Sequence, residues 1–267
     1  MKKSTIALFW ALAVILTLAS SVYQRKTGPT NPKKTTITIN NKEYKLSFPR
    51  SATANRNTIT LNIADTSANA QLIYRKYPTN DAFTSINFQR KDGKLVADLP
   101  IQPNAGKLEY YVKINNQTLF EEDALIVRFK GEVPAGVIIP HIIFMFVSML
   151  FAAYGLILAI ANKKNVVRYL ILTLITLFIG GFIFGPIVQK YAFGVYWSGF
   201  PFGYDLTDNK TLIALVILLI NMLFIKKKIF RITSIIAFSV MITIFCIPHS
   251  LRGSELNHQT GVIETAR

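Results

Sequence analysis

The stretch that decides the fold is VPAGVIIPHIIFMFVSMLFAAYGLILAIA, residues 133–161, which contains no Asp, Glu, Lys or Arg. A helix needs about 20 apolar residues to cross roughly 30 Å of hydrocarbon, so this stretch predicts a transmembrane helix. Further uncharged runs occupy residues 4–24, 169–189, 211–225 and 232–247. The last two are short, but flanking Lys and Arg side chains can reach the membrane surface. We therefore predict five transmembrane helices.

The overall composition also indicates a membrane protein. Hydrophobic residues make up 51% of the 267 residues and charged residues 16%, against roughly 25% charged in a soluble domain. A wholly soluble enzyme and an intrinsically disordered chain are both excluded. Part of the net charge of +16 lies in basic clusters beside the apolar runs, such as residues 226–231. That placement predicts contact with a lipid bilayer and no nucleic-acid partner.

Residues 1–24 are predicted to be an N-terminal membrane anchor. Residues 18–21 also resemble a cleavage site, so a secretory signal peptide is the alternative. Lys and Arg are more frequent in the short loops that share a side with the N-terminus, which predicts a cytoplasmic N-terminus. The bulk of the chain between the first two helices, and a C-terminal tail at residues 250–267, are then periplasmic. We predict a multi-pass protein of a bacterial inner membrane.

Residues 33–132 have a different pattern, in which apolar and polar residues alternate, as in TITLNI at residues 58–63. Turn-forming residues separate about eight or nine such runs, which predicts an antiparallel all-β sandwich outside the membrane. The lone Cys246 excludes an intramolecular disulfide, and covalent c-type haem is excluded as well. Leu99-Pro100 followed by LEYYV at residues 108–112 resembles fibronectin type III domains. That resemblance implies a sandwich and no ligand.

Residues 133–249 are predicted to form a four-helix membrane domain with an unusual outer loop, residues 190–210. The loop combines seven aromatic residues with glycines and a proline. One interpretation is an aromatic belt at the membrane surface, with Thr207 or Asp208 capping the next helix. The alternative is a lid in which aromatic side chains hold a lipid tail, a quinone or a partner helix and Asp205 fixes a polar group.

A second candidate site comes from the histidines, all of which fall on the predicted periplasmic side. A b-type haem held by His141 and His249 is one hypothesis, and a metal held by His249, His258 and a carboxylate is another. The structural alternative is that each histidine hydrogen-bonds a helix end. We also expect Asp205 to pair with Arg252, so that loop and tail form one site with His249 and His258 at its border. The interaction candidates are Trp197, Tyr204, Asp205, Arg252, Glu255 and His258.

The cores of the predicted membrane spans contain no Asp, Glu, Lys or Arg, which argues against an ion-coupled transporter. Asn221 is their most polar residue and predicts a hydrogen bond between helices. Gly181 and Gly185 match the GxxxG pattern of close helix contacts. HExxH, GxSxG and Walker A motifs are all missing from the sequence, which favours a role other than catalysis.

Three segments, TGPT at residues 27–30, the loop at residues 199–210 and the ending at residues 248–255, resemble an uncharacterised group of bacterial inner-membrane proteins. The resemblance implies the membrane topology and the inner-membrane localisation given above, and it implies no catalytic residue.

The sequence favours a non-catalytic inner-membrane scaffold, assembly factor or accessory subunit with a membrane-protein partner and no cofactor. One alternative is a haem- or quinone-binding electron-transfer subunit that uses His141 and His249. The other is a lipid-processing enzyme at the outer surface that uses Asp205, His249 or Glu255.

Overall fold

The computed structural model describes residues 2–249 and 253–265, which divide into two compact units. The helical unit contains the described residues up to Gly28 and those from Val133 to Gly253. The β unit contains Pro29–Glu132 and, from the end of the chain, Ser254–Glu264. The sequence predicts residues 250–267 as a separate tail, whereas the structure includes Ser254–Glu264 in the β unit.

The described residues of the helical unit form five helical rods. They are α1 (Lys3–Thr27), α2 (Ala135–Ile160), a continuous rod made of α3 (Val166–Leu177), a π-helical segment (Phe178–Phe184) and α4 (Gly185–Phe193), then α5 (Leu206–Met222) and α6 (Phe230–Cys246). In the described part of the chain, α1, α2 and the rod Val166–Phe193 are long and apolar enough to cross a membrane. Helix α6 is apolar but shorter, at 17 residues.

Helix α5 begins earlier than the sequence predicts. The apolar run starts at residue 211, but the helix starts at Leu206, because Asp205 caps it. Asp208 and Lys210, which the prediction places in a loop, therefore lie in the first turns of α5, and both are buried.

Small and polar residues bring the helices together. A Cβ atom added to Gly180 would lie 3.0 Å from Cβ of Phe144 in α2, so glycine permits this close approach of the π-helical segment. Asn221 of α5 donates to Ser234 Oγ of α6 at 3.1 Å, and Thr233 donates to Asn221 Oδ1 at 2.7 Å. The predicted interhelix hydrogen bond of Asn221 is confirmed.

Two cationic side chains mark the relative direction of the helices. Arg231, at the start of α6, donates to the carbonyl oxygens of Ala159 and Ile160 at the end of α2. Lys210, at the start of α5, donates to the carbonyl oxygen of Ile247, just beyond the end of α6. Helix α6 is therefore antiparallel to both α2 and α5.

The β unit has short strands with alternating burial: buried side chains alternate with exposed ones in β2 and mostly with half-buried ones in β9. The strands are β1 (Lys33–Ile39), β2 (Lys42–Phe48), β3 (Ser51–Ala52), β4 (Thr58–Leu61), β5 (Ala70–Tyr77), β6 (Thr84–Asn87), β7 (Gln89–Lys91), β8 (Lys94–Asp98), β9 (Lys107–Ile114), β10 (Gln117–Leu119), β11 (Leu125–Phe129), β12 (Ser254–Leu256) and β13 (Ile263–Thr265).

These strands form several sheets. The largest has the order β3-β11-β9-β5-β6, with β10 paired to β9; β4-β8-β7 form a second sheet, and β1-β2 and β12-β13 form two-stranded ribbons. Strand β3 pairs with β11 in parallel, whereas the alternation predicts antiparallel strands. One hydrophobic core joins residues of the first three sheets, including Phe48, Ile59 and Tyr110. The hydroxyl of Tyr110 donates to the carbonyl oxygen of Pro49 at 2.7 Å.

Candidate functional site

The most polar region of the helical unit surrounds the start of α5. Asp205 is the N-cap of this helix, and its carboxylate accepts hydrogen bonds from the backbone N–H groups of Thr207 at 2.8 Å and Asp208 at 3.4 Å. The sequence assigns the cap to Thr207 or Asp208, and that assignment is wrong. An acceptor at this position satisfies N–H groups that have no partner inside the helix.

Asp208 and its neighbour Asn209 hold the connection that precedes α5. We call this connection, residues 194–205, the aromatic loop. Asp208 Oδ2 accepts from the backbone N–H of Ser198 at 2.6 Å, and Asn209 Oδ1 accepts from that of Phe200 at 2.7 Å. The loop is thus tied to the first turn of α5 by side chains of the helix.

Glycines permit this close packing at two points. A Cβ atom on Gly199 would lie only 2.6 Å from Cβ of Asp208, so a larger residue would push the loop off the helix. Gly194 ends α4 with a φ angle of 84° and donates its N–H to the carbonyl oxygen of Lys190. Glycine adopts this left-handed conformation without steric cost.

Lys210 is 4% exposed and stabilises the end of α6. Its ammonium group donates to the carbonyl oxygen of Ile247 at 2.6 Å, and Gln24 of α1 donates to the same oxygen at 3.1 Å and to that of Phe245 at 2.6 Å. The last carbonyl groups of a helix lack intrahelical partners and carry partial negative charge, so a cation here is favourable.

His141 lies in the second turn of α2 and is half-buried. Its Nδ1 lies 2.9 Å from the carbonyl oxygen of Gly180 in the π-helical segment. Because a carbonyl oxygen only accepts, Nδ1 carries the hydrogen, and in the neutral ring Nε2 keeps its lone pair.

His249 lies three residues beyond the end of α6. Desolvation, and then the charges of Lys210 and His141, lower the pKa of His249. In residues 2–249 and 253–265, no group of three His, Cys, Asp or Glu side chains is placed to hold a metal ion. These residues therefore contain no ligand set for the predicted metal site.

The aromatic candidates differ in burial. Trp197 donates its Nε1–H to the carbonyl oxygen of Phe200 at 3.1 Å and stacks on Phe182 with ring centroids 5.7 Å apart. Tyr204 is 83% exposed. Other exposed aromatic side chains in the loop are Tyr196, Phe200 and Phe202.

Glu255 and His258 lie in the β unit. Glu255 Oε2 forms an ion pair with Lys107 Nζ at 3.0 Å, and Arg128 donates to the carbonyl oxygen of Ser254. His258 Nε2 lies 3.3 Å from the carbonyl oxygen of Tyr77. The sequence expects His258 to border the site of Asp205 and Arg252; in the structure, Glu255 and His258 contact Lys107 and Tyr77 of the β unit. Two cations, the half-buried Lys107 and the buried Arg128, explain why the segment packs there.

Arg252 lies outside the described residues, so its expected ion pair with Asp205 stays a prediction. Sequence reasoning missed the roles of Gln24, Lys107, Asn209 and Lys210, because their partners are backbone groups or distant in sequence. One signal was available: Asp205 and Asp208, with three-residue spacing before an apolar run, resemble a capping pattern.

Comparisons with known proteins supply no family for this chain. No family model, no curated protein and no solved structure matches it. Its function is therefore argued from its own residues.

Proposed function

We propose that this protein is a non-catalytic inner-membrane scaffold or accessory subunit of a membrane complex. The observation that carries the proposal is that the candidate polar side chains hold the fold together. Asp205, Asp208 and Lys210 bind backbone groups of the helical unit, and Glu255 pairs with Lys107. An enzyme needs such groups free for its substrate, so the lipid-processing alternative has less support.

The same proposal includes five membrane spans. Ser254–Glu264 and Pro29–Glu132 belong to one β unit, so the chain between them must cross the membrane an even number of times. Helix α2 and the rod Val166–Phe193 account for two crossings, which means that α5 and α6 cross together or not at all. Helix α6 starts beside the end of α2 and finishes beside Gln24 at the end of α1, which supports crossing by both.

The distribution of basic residues supports the proposed orientation of the helices in the membrane. Lys163 and Lys164 follow α2, and Lys226–Lys228 precede α6, so these basic clusters lie at the same end of the helices. By the positive-inside rule this end is cytoplasmic, which makes the β unit periplasmic.

We further propose that the β unit is a sandwich of the fibronectin type III kind. Its strand order β11-β9-β5-β6 and β4-β8-β7 corresponds to the G-F-C-C′ and B-E-D orders of immunoglobulin-like sandwiches. The shared core supports two sheets packed face to face.

The scaffold proposal is tested by the size of the assembly in native membranes. After extraction in a mild detergent, we expect the chain to migrate in native gels as part of one defined complex with a second membrane protein in fixed ratio. The Cys246→Ser variant is the matched control and should leave the complex intact. A chain that migrates alone, or a turnover activity that Asp208→Asn abolishes in a folded protein, would contradict the proposal.

A second candidate function, haem-dependent electron transfer, is favoured by one observation. His141 donates through Nδ1 to Gly180, which orients the ring and leaves Nε2 as a ligand atom. Purified from membranes, a haem protein would show a Soret band that shifts on reduction, and both His141→Ala and His249→Ala would remove it. A spectrum without that band in protein from haem-replete cells would eliminate this function.

A further inference from the structure

The aromatic loop presents an apolar surface made of four side chains. Tyr196, Phe200, Phe202 and Tyr204 are 59%, 67%, 82% and 83% exposed, respectively. Residues 191–204 contain no charged side chain. Four exposed aromatic side chains in one short uncharged segment favour contact with another apolar phase or molecule.

The backbone under this surface is fixed before any contact is made. Asp208 and Asn209 bind the N–H groups of Ser198 and Phe200, and the N–H of Asp205 donates to the carbonyl oxygen of Ser198 at 3.0 Å. Gln189 donates to the hydroxyl of Ser198 at 2.6 Å. Since the loop is already ordered, burial of its aromatic rings loses little backbone entropy.

The position of the loop identifies the contacting phase as lipid. It directly follows the rod Val166–Phe193, which is long and apolar enough to cross a membrane, so it lies where the hydrocarbon ends. Lys190, in the last turn of α4, donates to the carbonyl oxygen of Gly194 and lies 5.3 Å from the ring centre of Tyr196. Aromatic rings combined with a lysine at a helix end are typical of the membrane–water interface.

We propose that the aromatic loop is a preformed anchor whose Phe200, Phe202, Tyr196 and Tyr204 side chains insert into the headgroup region of the bilayer. Asp208 and Asn209 are its positioning residues: they touch no lipid and hold the loop so that the rings point outward. This role is independent of the proposed scaffold function and requires only that the helical unit resides in a membrane.

The test uses the full chain in the Cys246→Ser background, reconstituted in phosphatidylcholine vesicles. A polarity-sensitive fluorophore is attached to Phe202→Cys, and lipids with a spin label near the headgroup serve as quenchers. We expect blue-shifted emission and quenching several-fold stronger than at Lys94→Cys, an exposed position of the β unit. Because Phe202 is largely exposed, its replacement leaves the packing intact.

Two results would overturn the proposal. Emission and quenching equal to those of Lys94→Cys would mean that the loop faces water. Blue-shifted emission without lipid quenching would mean that protein, a partner or a second copy, covers the loop.

The positioning role has its own readout with the same fluorophore at position 202. Asn209→Ala removes the acceptor of the Phe200 N–H and should weaken the quenching, whereas Asn209→Asp keeps an acceptor oxygen and should restore it. Equal quenching in both variants would refute the positioning role.

Discussion

At the residue scale, the partly buried ion pair Lys107–Glu255 shows how charge influences the packing of the chain. Both side chains are 15% exposed, and burial lowers the pKa of Lys107 while Glu255 opposes that shift. A buried pair adds little net stability, but removing one partner leaves the other charge uncompensated. The pair therefore matters for where the C-terminal segment packs.

Glu255→Gln should destabilise the β unit by about 1–3 kcal/mol, because the Lys107 ammonium group keeps an acceptor oxygen but loses the negative charge that compensates it. The pKa of Lys107 is lower in the folded than in the unfolded protein, so the folded state releases its proton first as pH rises. The penalty should therefore shrink as pH increases towards the unfolded value of 10.5. Hydrogen exchange of the β9 amides at neutral and alkaline pH measures this loss of stability. Glu122→Gln, at an exposed position, is the control. A penalty that grows with pH would contradict this account.

At the element scale, helix α5 shows where sequence patterns succeed and where they fail. Five apolar runs predict helices, and each run coincides with a helical rod, because hydrophobic length is a local property. The start of α5 was misplaced because the polar residues DLTDNK, 205–210, resemble a loop. Leu206–Lys210 are helical, and Asp208 and Lys210 are buried, because Asp208 binds the Ser198 N–H and Lys210 binds the Ile247 carbonyl. Such partners depend on tertiary structure.

The capping role of Asp205 makes a prediction for this element. Asp205→Ala should lower stability by about 0.5–2 kcal/mol and unravel the first turn of α5, because two backbone N–H groups lose their acceptor. Asp205→Asn retains an acceptor oxygen and should cost less. Thermal unfolding in detergent, combined with hydrogen exchange of the Thr207 and Asp208 amides, tests this. Equal losses in the two variants would show that the negative charge, rather than the cap, is what matters.

At the scale of the whole molecule, sequence patterns could not predict where the C-terminal segment packs. Residues 250–267 have no hydrophobic period, and the partners Lys107 and Arg128 precede the helices α2 to α6. The order of the β strands in the sheets could not be predicted either, since alternation predicts strands but not which ones pair. The return of the chain to the β unit is the observation on which the proposed even number of membrane crossings rests.

That return predicts the sidedness of three positions in the Cys246→Ser background. Single cysteines at Lys94 and Val262, both exposed residues of the β unit, should react with a membrane-impermeant maleimide from the same face of sealed vesicles. A cysteine at Lys227, between α5 and α6, should react only from the opposite face, because one crossing by α6 separates it from the segment that ends in the β unit. Labelling of the cysteines at positions 94 and 262 from opposite faces would contradict an even number of membrane crossings between them. Labelling of all three from one face would mean that α5 and α6 do not cross, which would leave three spans and place the basic cluster Lys226–Lys228 beside the β unit, against the charge rule.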